Sequence, residues 1–278
     1  MTRILALIAL LLIQYGTSNA QSCCSPSATQ KFGQLAMNSG FVAAHEAPLP
    51  FSYEAASGTM ITFKCSDGSS ASAFEVKASQ PTANWLIVIH EWWGLNDYIK
   101  REAEKLQVDL GKTNVLALDL YDGKIAETPG VAQELMSGLK DERARMIVLG
   151  SFNHIGPKAK IFTLGWCMGG GWSMQTALMA GKQLGGCVMY YGMPESDIAK
   201  LKTLKADVLG IFGTKDAWIN GEVVSKFESN MKAAGKKLTV KNYDADHAFA
   251  NPSNPKHDIA ASTDAYNVTL NFLKSRMK

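Results

Sequence analysis

Cys167 lies between two glycines, Gly165 and Gly169, where an apolar run ends and a helical pattern begins. A strand, a tight turn and a helix in this order form a nucleophile elbow, which lifts one side chain above the sheet. The glycines allow the strand and helix backbones to approach closely. The segment therefore predicts a thiol nucleophile at Cys167, with its pKa lowered by a nearby base or by the helix N-terminus.

An acid and a histidine follow the cysteine in the order expected for such an elbow, each after a later strand pattern. Asp216 ends the polar turn after the predicted strand 207–212, and His247 lies in the loop after the predicted strand 238–243. A carboxylate that holds an imidazole in one tautomer allows that imidazole to take the proton of the nucleophile. We expect Asp216 to orient His247, and His247 to act as the base for Cys167.

The three motifs resemble those of the dienelactone hydrolase family, thiol-dependent hydrolases of the α/β-hydrolase fold. In that family the elbow is Gly-aromatic-Cys-hydrophobic-Gly-Gly, the acid ends a Gly-x-x-Asp turn, and the histidine precedes a small residue and Phe. The chain matches all three, and the resemblance spans about residues 57–275. It implies cleavage of a small ester or lactone through an acyl-cysteine intermediate.

A fourth match is the segment 91–96, Glu-Trp-Trp-Gly-Leu-Asn, which follows the predicted strand 85–89. It places Glu91 where the family carries its active-site glutamate. The resemblance implies that this carboxylate contacts the resting thiol and is displaced when substrate binds. The fold also implies an oxyanion hole formed by the backbone N–H groups of Met168 and Trp92.

Asn251 marks a departure that concerns the substrate. The family's archetype has an arginine four residues after the histidine, which pairs with the carboxylate of its dienelactone substrate, and this chain has Asn251 there. Arg143 and Arg145 are possible replacements from the segment before the elbow. A carboxylate-bearing lactone and a neutral ester, lactone or thioester therefore both stay open as substrates.

Aromatic residues flank both active-site segments and predict an apolar cleft. Trp92 and Trp93 follow Glu91, and Trp166 precedes Cys167. We predict that Trp93, Trp166 and Asn251 contact the substrate.

The other cysteines and histidines favour structural roles and no metal or cofactor. Cys187 lies in a predicted central strand, where a free cysteine packs as a small hydrophobe, and Cys65 ends an early strand pattern. His90 is expected to be a satisfied core or loop residue. The remaining histidines have no partners at metal-ligand spacing: they are His45, His154 and His257.

Residues 1–20 have the charged start, short apolar stretch and small-residue end of a secretory signal peptide. The apolar stretch is too short for a spanning helix. Cleavage near Ala20 predicts a periplasmic or secreted protein whose mature chain begins just before Cys23 and Cys24. Residues 21–56, rich in Ser, Ala and Pro, predict an irregular N-terminal extension.

The formal net charge of +3 over 278 residues, without basic runs, argues against a nucleic-acid partner. The expected partner is a small-molecule ester or lactone, and the expected assembly is a monomer or small homo-oligomer. Two other classes stay open. One is a noncatalytic exported binding protein on the same fold, and the other is a thiol redox protein, although Cys167 lacks a Cys-x-x-Cys partner.

The element pattern predicts one α/β domain over 57–278, with a mostly parallel sheet and helices on both faces. Two early strands are expected at 59–65 and 71–78, followed by six more that alternate with helices. The first helix of this domain should be capped by Asp97 and end at Gly111. The six later strands are predicted at 85–89, 114–118, 160–164, 187–191, 207–212 and 238–243.

Overall fold

The computed structural model describes residues 26–277. Its sheet has eight strands in the order β1-β2-β4-β3-β5-β6-β7-β8, and each of the eight predicted strands is present within three residues of its predicted ends. The strands are β1 (Thr59–Lys64), β2 (Ser70–Val76), β3 (Asn84–Ile89), β4 (Asn114–Leu118), β5 (Lys160–Trp166), β6 (Leu184–Tyr190), β7 (Val208–Gly213) and β8 (Leu238–Tyr243).

Helices connect most of these strands and cover the two faces of the sheet. They are α1 (Ala28–Ala36), α2 (Ser39–Ala44), α3 (Asp97–Leu110), α4 (Pro129–Gly138), α5 (Asp141–Ile155), α6 (Met168–Ala180), α7 (Ile198–Leu201), α8 (Gly221–Ala233) and α9 (Ile259–Lys274). A short 3₁₀ helix (Gly181–Gln183) follows α6. Among residues 26–277, no helix is both long enough and apolar enough to cross a bilayer.

The sheet is parallel from β4 through β8, while β1 and β2 are antiparallel to their neighbours. The α/β-hydrolase fold predicted from the sequence is confirmed. Parallel strands end at the same edge, so the loops after β3, β5, β7 and β8 meet there. In open α/β sheets ligands bind outside this carboxyl edge.

Buried apolar side chains account for the central strands. All five residues of β4 and all six of β7 are buried, and the same holds for five of the six in β3. Such continuous apolar runs are typical of parallel strands covered on both faces. The core is therefore rigid at the edge from which the loops emerge.

The cap of α3 lies one residue earlier than predicted. Asn96 is in extended conformation and its side chain accepts the N–H of Ile99, whereas Asp97 is the first helical residue. The Asp97 carboxylate instead accepts from the Tyr53 N–H and pairs with Lys100. The predicted end at Gly111 is confirmed, with this glycine at φ 71°.

The extension 21–56 was expected to be irregular, and this is wrong for residues 28–44, which form α1 and α2. Ser27 and Gln30 form a capping box at the start of α1, and Asn38 caps α2. Phe32 and Phe41 are fully buried against the domain, so tertiary packing stabilises helices that the composition did not indicate. The predicted signal peptide, Cys23 and Cys24 lie outside the described residues.

Candidate active site

Cys167 occupies the turn between β5 and α6 with left-handed backbone angles, φ 54° and ψ −120°. A Cβ added to Gly165 would lie 2.1 Å from the Gly169 carbonyl oxygen, and one added to Gly169 would lie 2.3 Å from the His90 carbonyl oxygen. Only glycine fits at either position. The strand, tight turn and helix predicted around Cys167 are present, and this geometry places the thiol at the carboxyl edge of the sheet.

A hydrogen-bond chain joins the three residues predicted from the motifs. His247 Nδ1 lies 2.6 Å from Asp216 Oδ2, and His247 Nε2 lies 3.3 Å from Cys167 Sγ. The carboxylate can only accept, so Nδ1 donates the proton and Nε2 is the acceptor for the thiol. The imidazole is thus held in the tautomer that can take a proton from Cys167.

Asp216 is itself fixed by the loop after β7. Its Oδ1 accepts the N–H groups of Trp218 and Ile219, both at 2.9 Å. Burial by itself raises the pKa of Asp216, but His247 and these two N–H groups outweigh it and hold the pKa below its ordinary value. The carboxyl group is therefore ionised at neutral pH.

The pKa of Cys167 differs from the sequence expectation. Burial raises it well above its ordinary value; the charge of Glu91, when it is ionised, and that of Asp216 act in the same direction, while the Met168 N–H opposes them. The predicted lowering is therefore wrong for this arrangement. Cys167 is only 1% exposed, and it is a neutral thiol that donates to His247.

Glu91 follows β3 and points toward the same centre. Tyr191 donates to its Oε1 at 3.2 Å and Asn251 donates to its Oε2. Burial raises the pKa of Glu91 to about 8, although the bond from Tyr191 acts against it. The predicted contact with the resting thiol is not among the hydrogen bonds of Glu91 in residues 26–277. Its carboxyl group is held by the hydroxyl and the amide instead.

His90 holds the Glu91 loop in place and is a satisfied core residue, as expected. Its Nε2 accepts the Leu120 N–H at 3.1 Å, and its Nδ1 lies 2.5 Å from the Glu91 carbonyl oxygen. The carbonyl can only accept, so Nδ1 is the protonated nitrogen.

Cys187 also has the expected structural position, buried in β6 beside Ser173.

The two backbone groups predicted for the oxyanion hole lie next to the reacting residues in the chain. Met168 is the first residue of α6, where N–H groups have no partner within the helix. Trp92 follows Glu91 directly, and its indole ring is fully buried. The N-terminal turn of α6 adds a partial positive charge at this point.

A cavity of about 510 Å³ adjoins Glu91 and contains the predicted substrate residues Trp93, Trp166 and Asn251. It extends between α3 and α9, and Tyr266 is part of its wall. Cys167 and His247 are buried and do not line it, whereas Glu91 and Trp166, the residue before Cys167, do. The residues predicted to contact substrate therefore share one cavity, and its wall includes the chain neighbour of Cys167.

The two arginines considered as replacements lie elsewhere. Arg143, on α5, binds Asp122 and Ser69, and Arg145 is exposed. Neither lines the cavity. Asn251 bonds to Glu91 within the site, where the archetype's arginine would pair with a substrate carboxylate.

The sequence analysis missed the contribution of the extension. Phe41 and His45 pack over the His247 ring, with centroid distances of 5.7 and 5.3 Å. Trp218 also packs against His247, at 5.8 Å. His45 has no partner at metal-ligand spacing along the chain, yet in the structure its donor atom and those of Cys167 and His247 all lie within 4.8 Å of one another. This contact depends on how the N-terminal extension packs onto the domain, which the spacing of residues along the sequence does not specify.

Comparisons with known proteins agree with this geometry. The model of the dienelactone hydrolase family matches residues 72–277. Protein usf of Aquifex pyrophilus is 29% identical over 72% of this chain and 93% of its own, and a putative carboxymethylenebutenolidase of Aquifex aeolicus is 26% identical over 73% and 95%. A putative dienelactone hydrolase structure from Klebsiella pneumoniae has a TM-score of 0.64 at 21% identity, covering 77% of this chain and 98% of that one, which is a likeness in fold.

Proposed function

This chain belongs to the dienelactone hydrolase family and is a hydrolase that acts on ester bonds, and we propose that it cleaves a small ester or lactone with Cys167 as nucleophile. His247 acts as base and then acid, and Asp216 orients it. The hydrogen-bond chain from Asp216 through His247 to Cys167 carries this proposal. A base within hydrogen-bond reach of the nucleophile, itself oriented by a third group, is the arrangement that nucleophilic catalysis requires.

In the first half of the reaction the thiol proton moves to His247 Nε2 as the sulfur attacks the ester carbonyl carbon. The C–S bond forms, and the carbonyl electron pair becomes an oxyanion. When the oxyanion collapses, the C–O bond breaks and His247 returns the proton to the leaving oxygen. This transfer needs no free thiolate in the resting enzyme, which suits a thiol whose pKa burial raises.

In the second half a water molecule attacks the acyl-cysteine while His247 takes one of its protons. Collapse of this intermediate breaks the C–S bond, returns the proton to Cys167 and releases the acid. The N–H groups of Met168 and Trp92 stabilise both oxyanions. Loss of one such donor costs about 10²–10³-fold in kcat in a serine hydrolase.

Glu91 is neutral at pH 7 because its pKa is raised to about 8. A carboxylate at this place would oppose the negative charge that develops on Cys167 and on the oxyanion. We assign Glu91 a positioning role, in which its carboxyl group stays protonated and accepts hydrogen bonds from Tyr191 and from Asn251, which lines the cavity.

Asn251 favours a neutral ester, lactone or thioester over a substrate with a free carboxylate. Its amide is already engaged with Glu91, and two cations of the cavity, Arg101 and Lys105, are paired with Glu102 and Asp109. The name of the Aquifex aeolicus relative, putative carboxymethylenebutenolidase, supports a lactone but points to one that carries a carboxylate. Hydrolysis of matched neutral and charged esters separates the two possibilities.

We also propose that the protein is exported, on the signal-peptide pattern of residues 1–20. The N-terminal sequence of the protein isolated from its native host tests this. A mature chain beginning near Gln21 supports export, and a chain that retains Met1 or Thr2 contradicts it.

The test of the catalytic proposal compares initial rates of p-nitrophenyl acetate hydrolysis by the reduced protein, Cys167→Ala and the matched control Cys187→Ala. Both cysteines are buried at the sheet, but only one lies at the elbow. We expect Cys167→Ala to lose turnover while Cys187→Ala keeps it. If both variants keep the wild-type rate, the nucleophile is a different residue. If the wild type binds esters without turnover, the protein has a noncatalytic role.

A further inference from the structure

His45 extends from the end of α2 into the active site and is 6% exposed. Its ring packs against Phe41 and Trp92, with centroid distances of 4.2 and 4.5 Å, and faces His247 at 5.3 Å. The N-terminal extension thus brings His45, a residue type that can bind metals, next to the proposed nucleophile.

The two ring nitrogens of His45 have different surroundings. Nδ1 lies 2.7 Å from the Phe41 carbonyl oxygen, which can only accept, so Nδ1 carries the proton. Nε2 then has a lone pair, and among the described residues this buried atom has no hydrogen-bond partner. A buried acceptor without a partner is costly and calls for an explanation.

The unpartnered Nε2 belongs to a cluster of soft and borderline donors. One ring nitrogen of His45 lies within 4.8 Å of Cys167 Sγ and of a ring nitrogen of His247, and Cys167 Sγ lies 3.3 Å from His247 Nε2. We propose that His45, Cys167 and His247 form a binding site for a transition-metal dication of the Zn²⁺ class, which closes the nucleophile when bound.

The donor set and its spacing fit such an ion. Zinc binds cysteine sulfur at about 2.3 Å and histidine nitrogen at about 2.0–2.1 Å, so tetrahedral ligands lie about 3.4–3.6 Å apart. The sulfur and the His247 nitrogen are already at 3.3 Å, and His45 needs a shift of about 1 Å. Three protein ligands leave a fourth position for water.

The outer contacts of both histidines match those of metal ligands. Such histidines donate their second N–H to a carboxylate or a backbone carbonyl, which fixes the tautomer and aims the lone pair. Asp216 accepts from His247 Nδ1, and the Phe41 carbonyl accepts from His45 Nδ1. Each imidazole therefore keeps the lone pair of its Nε2 free for a metal ion.

Charge balance also favours a dication. The thiolate of Cys167 and the carboxylate of Asp216 together neutralise two positive charges. A histidine that binds a metal through one ring nitrogen and donates from the other is uncharged. The loaded cluster thus has no net charge in a buried site.

Metal binding breaks the S–H bond of Cys167, forms a sulfur–metal bond and releases the proton to solvent. Neither oxidant nor reductant is needed. The sulfur lone pair and His247 Nε2 are then both occupied, so neither can act on an ester. Binding reversibly blocks the hydrolase and protects the thiol.

Cobalt provides the test, because Co²⁺ bound by a thiolate gives a charge-transfer band that nitrogen and oxygen ligands alone do not give. The tag-free full-length chain carries Cys23→Ser and Cys24→Ser to remove the two N-terminal thiols. The reduced protein, freed of reductant, is titrated with Co²⁺ and then with Zn²⁺. We expect one Co²⁺ per chain with this band, and displacement of the Co²⁺ by Zn²⁺.

His45→Ala and the more conservative His45→Gln should weaken Co²⁺ affinity by more than about tenfold, since even outer contacts of metal ligands affect affinity by 10–100-fold. His154→Ala is the control: His154 is an exposed histidine bonded to Glu75, so this variant should bind Co²⁺ as the parent does. Circular dichroism checks that each variant folds.

Either of two results overturns the proposal. One is the absence of the charge-transfer band at equimolar Co²⁺, and the other is unchanged affinity in a folded His45→Gln variant. The readout is spectroscopic, so it is independent of ester hydrolysis. Failure of the catalytic proposal would leave the cobalt titration fully interpretable.

Discussion

The Nε2 atom of His247 lies 3.3 Å from the Cys167 sulfur although the two residues are 80 positions apart in the chain. The elbow after β5 fixes one partner and the loop after β8 fixes the other. Because both strands run parallel in the same sheet, their carboxyl ends bring the thiol and the imidazole together. The proposed acyl transfer depends on this one approach.

Asp216→Asn should lower kcat by about 10²–10⁴-fold, because an asparagine can hold His247 in the wrong tautomer. Steady-state rates on p-nitrophenyl acetate measure the effect. Asp246→Asn is the matched control, since Asp246 is an exposed carboxylate directly before His247. Similar rates for the two variants would remove Asp216 from the mechanism.

Because of Glu91, the free energy of unfolding should decrease as the pH rises from 4.5 to 8. The folded state keeps the Glu91 proton up to about pH 8, whereas an unfolded chain releases it near 4.5. Proton loss therefore favours the unfolded state in this window, with a full effect on the order of 4 kcal/mol. Above pH 8 the contribution is constant.

Urea unfolding of the wild type and of Glu91→Gln at several pH values tests the effect of Glu91. The free energy of unfolding of the wild type, relative to the variant, should decrease between pH 5 and 8. Parallel pH profiles of the two proteins would show that Glu91 does not hold a proton in the folded state.

Gly165→Ala should destabilise the protein by about 3 kcal/mol, because its new methyl group would meet the Gly169 backbone, which cannot move aside cheaply. Gly138→Ala in α4 has open space around the added methyl group and should be neutral or stabilising by up to about 1 kcal/mol. Thermal unfolding of both variants provides the measurement. A Gly165→Ala protein as stable as Gly138→Ala would contradict the close approach of β5 and α6.

The neutral ester p-nitrophenyl butyrate should be hydrolysed with a kcat/KM at least about tenfold higher than mono-p-nitrophenyl succinate, which adds a carboxylate at similar length. The reason is that burying an unpaired carboxylate is costly, and Asn251 stands where the archetype's arginine would pair with it. A preference for the succinate would indicate that a cation of the cavity, such as Lys274, serves this role.

The sequence predicted the eight strands, the elbow, and the order of Cys167, Asp216 and His247, because these depend on local patterns. Parallel buried strands have continuous apolar runs, and a nucleophile elbow requires glycines at fixed positions. The predicted cap of α3, Asp97, is one residue away from the observed cap, Asn96. Asparagine and aspartate both cap helices, so local sequence does not decide between two such neighbours.

Three features could not be predicted because they arise only when distant segments pack. The helices of the extension depend on burial of Phe32 and Phe41. The approach of His45 to Cys167 depends on where that extension docks. The raised pKa of the thiol depends on how completely the site excludes water, which no local motif specifies.

The most direct test of the account is to identify the residue that carries the acyl group during turnover. Reduced protein is mixed with p-nitrophenyl acetate, quenched in acid within the first turnover, and its peptides are mapped by mass spectrometry. The account predicts an acetyl group on Cys167 that is absent from Cys187 and does not form in Cys167→Ala. Turnover with no acyl-Cys167, or with the acetyl group on another residue, would contradict it.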